Sequence, residues 1–143
     1  MSTEASAAKA PRKLWRSIAA VLAGVMAVII CSLGTDAVLH WLGVYPAPEE
    51  PMTEPGLNLL ALSYRCFYNV LAAYLVIALA PGNSLRLLWI FTGIGFVLGG
   101  IGAVVTIPMD LGPAWYPILL AVSPFPCSWI AWKLRRSRSG AGT

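Results

Sequence analysis

The chain alternates between four long apolar stretches and short polar connections. A helix needs about 20 apolar residues to cross the ~30 Å hydrocarbon core of a bilayer, and each stretch approaches or exceeds that length. The sequence therefore predicts an all-α fold, a bundle of four transmembrane helices in antiparallel up-down-up-down order. The predicted segments are an N-terminal segment 1–16, helices at about 17–44, 57–80, 87–107 and 114–132 within a transmembrane domain 17–132, and a basic tail 133–143.

Composition places the chain in the membrane class. Of its 143 residues, 58% are hydrophobic and 11% are charged, whereas soluble domains average about 45–50% apolar and about 25% charged residues. The net charge of +4 does not indicate a nucleic-acid partner, because the basic residues flank the apolar stretches. The expected partner is the lipid bilayer.

The distribution of charge predicts an orientation. Lys and Arg concentrate at both ends of the chain and in the turn 81–86, while the loops 45–56 and 108–113 contain acidic residues and no Lys or Arg. By the positive-inside rule, both termini and the turn are cytoplasmic and the two acidic loops lie outside. Tyr45 and Tyr116 are among the aromatic residues that mark the predicted outer interface.

Two features predict how the helices pack. Gly95, Gly99 and Gly102 recur near helical spacing in the third stretch, which allows another backbone to approach closely. That face either packs within the chain or contacts a second copy or another membrane protein. In the fourth stretch, the prolines within 124–126 should kink the helix or break its hydrogen-bond ladder.

The strongest functional lead is a set of polar residues inside the apolar stretches. Asp36 and His40 lie four residues apart in the first stretch, and Arg65 lies in the second. A charge in hydrocarbon is costly unless it is paired or hydrated. Helix rise places Asp36 and Arg65 at similar depths, roughly 10 Å below the outer interface. The sequence therefore predicts that they pair.

Helical spacing adds Tyr68 and Asn69 to the face of Arg65, and predicts a connected hydrogen-bond network with Asp36. Three interpretations of the network remain open. The pair is a clamp that fixes the register of two helices, or part of a ligand, substrate or proton site, or Arg65 extends to the headgroups unpaired. His40 is either an ordinary interfacial residue or a pH-sensing or ligand-binding one.

The sequence contains no catalytic motif. It lacks a nucleophile elbow, a glycine-rich phosphate loop and a zinc motif. Its one histidine cannot supply bis-His haem ligation, and its three cysteines lie in apolar stretches without CxxC spacing. We therefore assign no catalytic residue, no metal and no cofactor, and an enzyme is not the preferred interpretation.

Several short motifs are similar to those of a group of small bacterial four-helix membrane proteins without an established activity. The resemblance extends over residues 14–133 and implies location in the bacterial cytoplasmic (inner) membrane, with no reaction. The residues that carry it are Gly34-Thr35-Asp36-Ala37-Val38-Leu39-His40, Tyr64-Arg65, Tyr74, Ala80-Pro81 and Trp115-Tyr116-Pro117.

Three functional hypotheses follow. The first is an integral membrane protein with a structural or accessory role, indicated by the glycine face, the short loops and the lack of a catalytic motif. The second is a small oligomeric transporter or channel with Asp36 and Arg65 at a gate or binding site. The third is a membrane-embedded enzyme acting on a lipid or headgroup, with Asp36 or His40 as the base and Arg65 binding an anionic group.

Overall fold

The computed structural model describes residues 2–140, with side chains described for residues 11–140. Its regular secondary structure in this range is entirely helical. The elements are α1 (Ser2–Trp41), α2 (Pro55–Leu79), α3 (Ser84–Thr106), a 3₁₀ turn (Ile107–Met109), α4 (Trp115–Val122) and α5 (Pro124–Gly140).

Local sequence explains most of the helix ends. Gly43 adopts a φ of 72°, a left-handed conformation that ends α1, and the backbone N–H of Val44 then bonds the Leu39 carbonyl at 3.0 Å. Pro55 begins α2, where its missing N–H costs nothing. The Asn83 side chain caps α3 by accepting from the Arg86 backbone N–H.

The first helix starts earlier and ends sooner than predicted. It begins at Ser2 rather than near residue 17, and it ends at Trp41 rather than near residue 44. The preceding segment is rich in Ala, Lys and Arg, which favour helix, so α1 continues through Pro11. Its early end follows from Gly43. At the other end of the chain, α5 extends through much of the predicted basic tail to Gly140.

Three helical segments are long and apolar enough to cross a membrane, within the residues that the structure describes: Pro11–Trp41, Pro55–Leu79 and Ser84–Met109. The fourth predicted helix is two helices. α4 contains 8 residues and α5 contains 17. The break lies just before Pro124, because proline lacks the N–H and its ring clashes with the preceding turn. The sequence predicted an interruption at this place.

Small residues line the helix contacts. A Cβ added to Gly24 of α1 would lie 2.5 Å from Val76 of α2 and 3.1 Å from Phe91 of α3. Alanines fill much of the surrounding core, so the helices approach closely, as membrane helices do. The best-buried members of this core are Ala20, Ala72, Ala73, Val76 and Ala131.

Large apolar side chains cover the outside of the bundle. Leu33 is 62% exposed and Val104 is 73% exposed, and many other Leu, Ile, Val and Trp side chains resemble them. Soluble monomers rarely expose contiguous apolar surface of this extent. A surface richer in large apolar side chains than the core fits a protein whose solvent is lipid.

The three predicted packing glycines have different surroundings. A Cβ at Gly99 would lie 2.7 Å from the Cα of Ala121, and a Cβ at Gly95 would lie 3.1 Å from Pro124. Both glycines therefore face α4 and α5 of the same chain. At Gly102, an added Cβ would meet no neighbouring atom of the described chain within 4 Å.

Two loops meet at one end of the bundle, which we call the loop end and which is formed by residues 42–54 and 110–114. The Met52 N–H donates to the Leu111 carbonyl at 2.8 Å. Asn58 is 2% exposed, and its amide donates to the carbonyls of Met52 and Glu54 at 2.8 and 3.0 Å. These bonds hold the loops above the polar residues of α1 and α2.

Candidate functional site: a polar cluster near the loop end

Asp36 and Arg65 form a direct ion pair between α1 and α2. Arg65 Nη2 lies 2.6 Å from Asp36 Oδ2. The Arg65 side chain retains 24% of its accessible surface and the Asp36 side chain retains 19%, so most of the pair is buried. Each charge removes the desolvation problem of the other, which is the physical reason that the two helices bring them together.

Two tyrosine hydroxyls bond this pair directly, and a third bonds one of those two. Tyr64 donates a hydrogen bond to Asp36 Oδ1, and its oxygen lies 3.0 Å from the hydroxyl of Tyr45. Arg65 Nη1 donates to the hydroxyl of Tyr116 at 2.5 Å. We call Asp36, Tyr45, Tyr64, Arg65 and Tyr116 the ion-pair cluster. It connects α1, α2, α4 and the loop after α1.

The cluster is balanced in charge. Asp36 and Arg65 carry opposite charges, and the Arg65 guanidinium also lies 5.9 Å from the centre of the Tyr116 ring.

Tyr45 lies in the loop and is 6% exposed. Its burial raises the pKa of its phenol above the ordinary value. A phenol is protonated at neutral pH even at its ordinary pKa of about 10, so the Tyr45 hydroxyl keeps its hydrogen bond to Tyr64.

His40 bonds the backbone beside the cluster. Its Nδ1 lies 2.7 Å from the Asp36 carbonyl oxygen, and because a carbonyl only accepts, Nδ1 carries the proton in this bond. The His40 ring also packs edge-on against Tyr45, with centroids 5.4 Å apart. The Asp36 carboxylate accepts its hydrogen bonds from Arg65 and Tyr64.

Tyr68 and Asn69 do not join the predicted network. The Tyr68 hydroxyl lies 2.7 Å from Thr35 Oγ1, and since Thr35 donates to the Cys31 carbonyl, Tyr68 is the donor. Asn69 makes no side-chain hydrogen bond with any residue the structure describes; it lines a cavity on the other side of Arg65. At 100° per residue, Tyr68 and Asn69 lie on opposite sides of Arg65, about 60° and 40° from it around the helix axis, so the two side chains meet different neighbours.

The roles of Tyr45, Tyr64 and Tyr116 were not predicted from the sequence. Tyr45 and Tyr116 were predicted to be interfacial aromatics, whereas their hydroxyls belong to the ion-pair cluster. A usable signal existed in each case. Tyr64 is adjacent to Arg65 in sequence, and the other two lie at the ends of apolar stretches, at depths that a long Arg side chain reaches.

Two cavities flank Arg65. The first, which we call the apolar cavity, has a volume of about 310 Å³ and lies between α1, α2, α3 and the junction of α4 with α5. The second, the polar cavity, has a volume of about 220 Å³ and is lined by Asp36, His40, Tyr45 and Tyr116 beneath the loops. Arg65 lines both.

In the described part of the chain, no group of three or more His, Cys, Asp or Glu side chains is placed to hold a metal ion. Comparisons with protein families, with characterised proteins and with solved structures give no match.

Proposed function

We propose that this chain is a multi-pass protein of the bacterial cytoplasmic membrane with a structural or accessory role, in which the ion-pair cluster joins three helices. One observation carries the proposal: the two charges bind each other, and the remaining partners are tyrosine hydroxyls from α2, α4 and the loop. Both carboxylate oxygens of Asp36 and both Nη atoms of Arg65 have partners within the protein, and charged groups bonded in this way hold helices in place. A reactive group would instead be left available to substrate.

We further propose four crossings, with α4 and α5 together forming the fourth, and with both termini and the turn 80–83 in the cytoplasm. Contacts between helices support antiparallel neighbours. Asp36 near the end of α1 meets Arg65 in the first half of α2, whereas Gly24, earlier in α1, lies beside Val76 near the end of α2. The basic residues near the termini support the orientation.

Cysteine labelling tests this orientation. In intact spheroplasts, a membrane-impermeant maleimide is expected to label Glu50→Cys in the loop after α1, and to label Gly82→Cys only after permeabilisation. Both positions are exposed, and a Cβ at Gly82 meets no described neighbour within 4 Å. The unsubstituted chain controls for its own three cysteines. Labelling of Gly82→Cys in intact spheroplasts would contradict the proposed orientation.

A membrane-protein partner or a second copy of the chain remains part of the proposal. The predicted contact surface was the glycine face of Gly95, Gly99 and Gly102. Because Pro124 and Ala121 cover the first two within the chain, Gly102 is the member of this face that is left open to a partner. A Cβ at Gly102 would meet no described neighbour within 4 Å.

A transporter or channel is the second candidate, and one observation favours it. Arg65 stands between the apolar and polar cavities, so movement of its side chain would connect them. Such movement would require Arg65 to leave Asp36 and Tyr116 at once, which costs two charge-assisted hydrogen bonds. We therefore place the structural role first.

Reconstitution distinguishes the two candidates. Purified chain in proteoliposomes is expected to conduct no protons or ions above the level of empty liposomes, measured with an entrapped pH dye and an imposed potential. The expected rate is the same for the native chain and for Asp36→Asn. Flux through the native chain that Asp36→Asn abolishes would overturn the structural role and establish the transporter.

A further inference from the structure

The apolar cavity has the size and composition of a small-molecule site. Its volume of about 310 Å³ lies at the lower end of the range of about 300–1,000 Å³ that is typical of ligand pockets. Apolar side chains from four helices form most of its wall, among them Val28, Phe91, Leu98, Leu120 and Pro124.

Three polar side chains interrupt this apolar wall and have unused hydrogen-bonding capacity. Ser32 is only 8% exposed, and its hydroxyl has no hydrogen-bond partner among the described residues. The same holds for Nε of Arg65. Asn69 is half-buried, and its carboxamide makes no side-chain hydrogen bond with the described residues. Buried polar groups in native proteins are almost always paired, so the unpaired Ser32 hydroxyl and Arg65 Nε at one cavity point to a ligand.

The hydrogen-bonding chemistry of these groups indicates that the ligand atom they contact is a hydrogen-bond acceptor. Nε of Arg65 can only donate, whereas the Ser32 hydroxyl and the Asn69 carboxamide can donate as well as accept. The ligand atom that suits all three is therefore an oxygen with free lone pairs. Among the described residues, Arg65 is the one charged side chain that lines the cavity, and Asp36 already neutralises it. A second anion there would be buried without a counter-charge, so the acceptor is an uncharged carbonyl rather than a carboxylate or phosphate.

The depth of Ser32 and Asn69 in the membrane further restricts the class of ligand. Ser32 precedes Trp41 by nine residues, about 14 Å along α1, and Asn69 follows Pro55 by fourteen residues, about 21 Å along α2. In a core ~30 Å thick, these groups lie near mid-depth. The ester carbonyls of bilayer lipids remain at the interface. A carbonyl on an apolar ring enters the bilayer interior readily, as in the lipid quinones.

The cavity is open to the lipid side of the bundle. Leu33 of α1 and Leu98 of α3 line it and are 62% and 51% exposed. We propose that the apolar cavity binds an uncharged carbonyl compound of the lipid-quinone class. A ring carbonyl accepts from Nε of Arg65 and from Asn69, and the tail leaves between Leu33 and Leu98. Binding requires no movement of the Asp36–Arg65 pair.

Native mass spectrometry of the detergent-purified, delipidated chain tests the inference with four matched probes. A benzoquinone carrying a decyl chain is expected to bind as one molecule per chain. Decylbenzene lacks the carbonyl, decanoate carries a charge, and dioctanoylglycerol carries ester carbonyls, so all three should bind at least about tenfold more weakly. Preference for decanoate or dioctanoylglycerol, or equal binding of decylbenzene, would overturn the assigned chemistry.

Two variants locate the site. Asn69→Leu removes the polar contact and leaves an apolar side chain, so quinone affinity should fall by about three- to tenfold, the range for one neutral hydrogen bond. Ser63→Leu on the exposed face of the same helix is the control, and its affinity should equal that of the native chain. Equal affinity for Asn69→Leu and the native chain would contradict the site. If the quinone does not bind, the expected absence of flux in proteoliposomes is unaffected. The quinone site and the structural role can therefore be disproved independently.

Discussion

Asp36→Leu alone, or Arg65→Met alone, is expected to lower the free energy of unfolding by about 2–4 kcal/mol, because each leaves a largely buried charge without its partner. The partial exposure of both side chains places the expected loss below the upper limit for fully buried pairs. The measurement is SDS-induced unfolding in mixed micelles, followed by Trp fluorescence. Arg86→Met is the matched control, since Arg86 is exposed and makes no side-chain hydrogen bond with the described residues.

The double variant Asp36→Leu/Arg65→Met is expected to recover much of this loss, giving a coupling energy of about 2 kcal/mol between the two sites. Recovery should be incomplete, because Tyr116 loses its donor Arg65 and Tyr64 loses its acceptor Asp36. Tyr64 keeps the hydroxyl of Tyr45 as a partner. A double variant as unstable as the sum of the two single ones would show that the charges act independently, and would contradict the structural role of the pair.

Gly99→Ala is expected to destabilise the chain by about 2–3 kcal/mol through overpacking. The added Cβ would lie 2.7 Å from the Cα of Ala121, and since that atom belongs to the backbone, α3 and α4 must move apart to relieve the clash. The same unfolding measurement reports the change. Gly102→Ala is the control, because its Cβ meets open space; its stability should stay within about 1 kcal/mol of the native value, with any gain coming from helix propensity.

Unchanged stability of Gly99→Ala would show that α3 and α4 do not touch at this place. The control variant also informs the proposed partner surface. If a second copy binds at Gly102, Gly102→Ala should weaken the complex measured by light scattering in detergent, without lowering the stability of the single chain.

Much of the architecture follows from apolar stretches and prolines. Hydropathy identified the segments that become the helices, and the prolines near position 124 identified the interruption that separates α4 from α5. The boundaries of α1 were less accurate. Ala, Lys and Arg allow helix without burial, so residues before position 17 join α1 although no apolar pattern marks them.

The polar residues were only partly predictable. Opposite charges at similar depths on successive helices are strongly driven to meet, and Asp36 and Arg65 form their ion pair. The neighbouring positions were assigned by helical spacing alone, which placed Tyr68 and Asn69 in the same network. In the structure, Tyr68 bonds Thr35 and Asn69 lines the apolar cavity.

The sequence by itself determined which segments suit a membrane, where the last of them is interrupted, and which two charges need each other. These properties depend on the free energy of transfer from water to hydrocarbon, and each residue contributes to that free energy independently of its distant neighbours. Only the tertiary structure decided that Tyr116 of α4 completes the coordination of Arg65, and that Ser32, Asn69 and Arg65 border one cavity. Those outcomes depend on the rotation of each helix about its axis, which close packing at Gly24 and Gly99 sets.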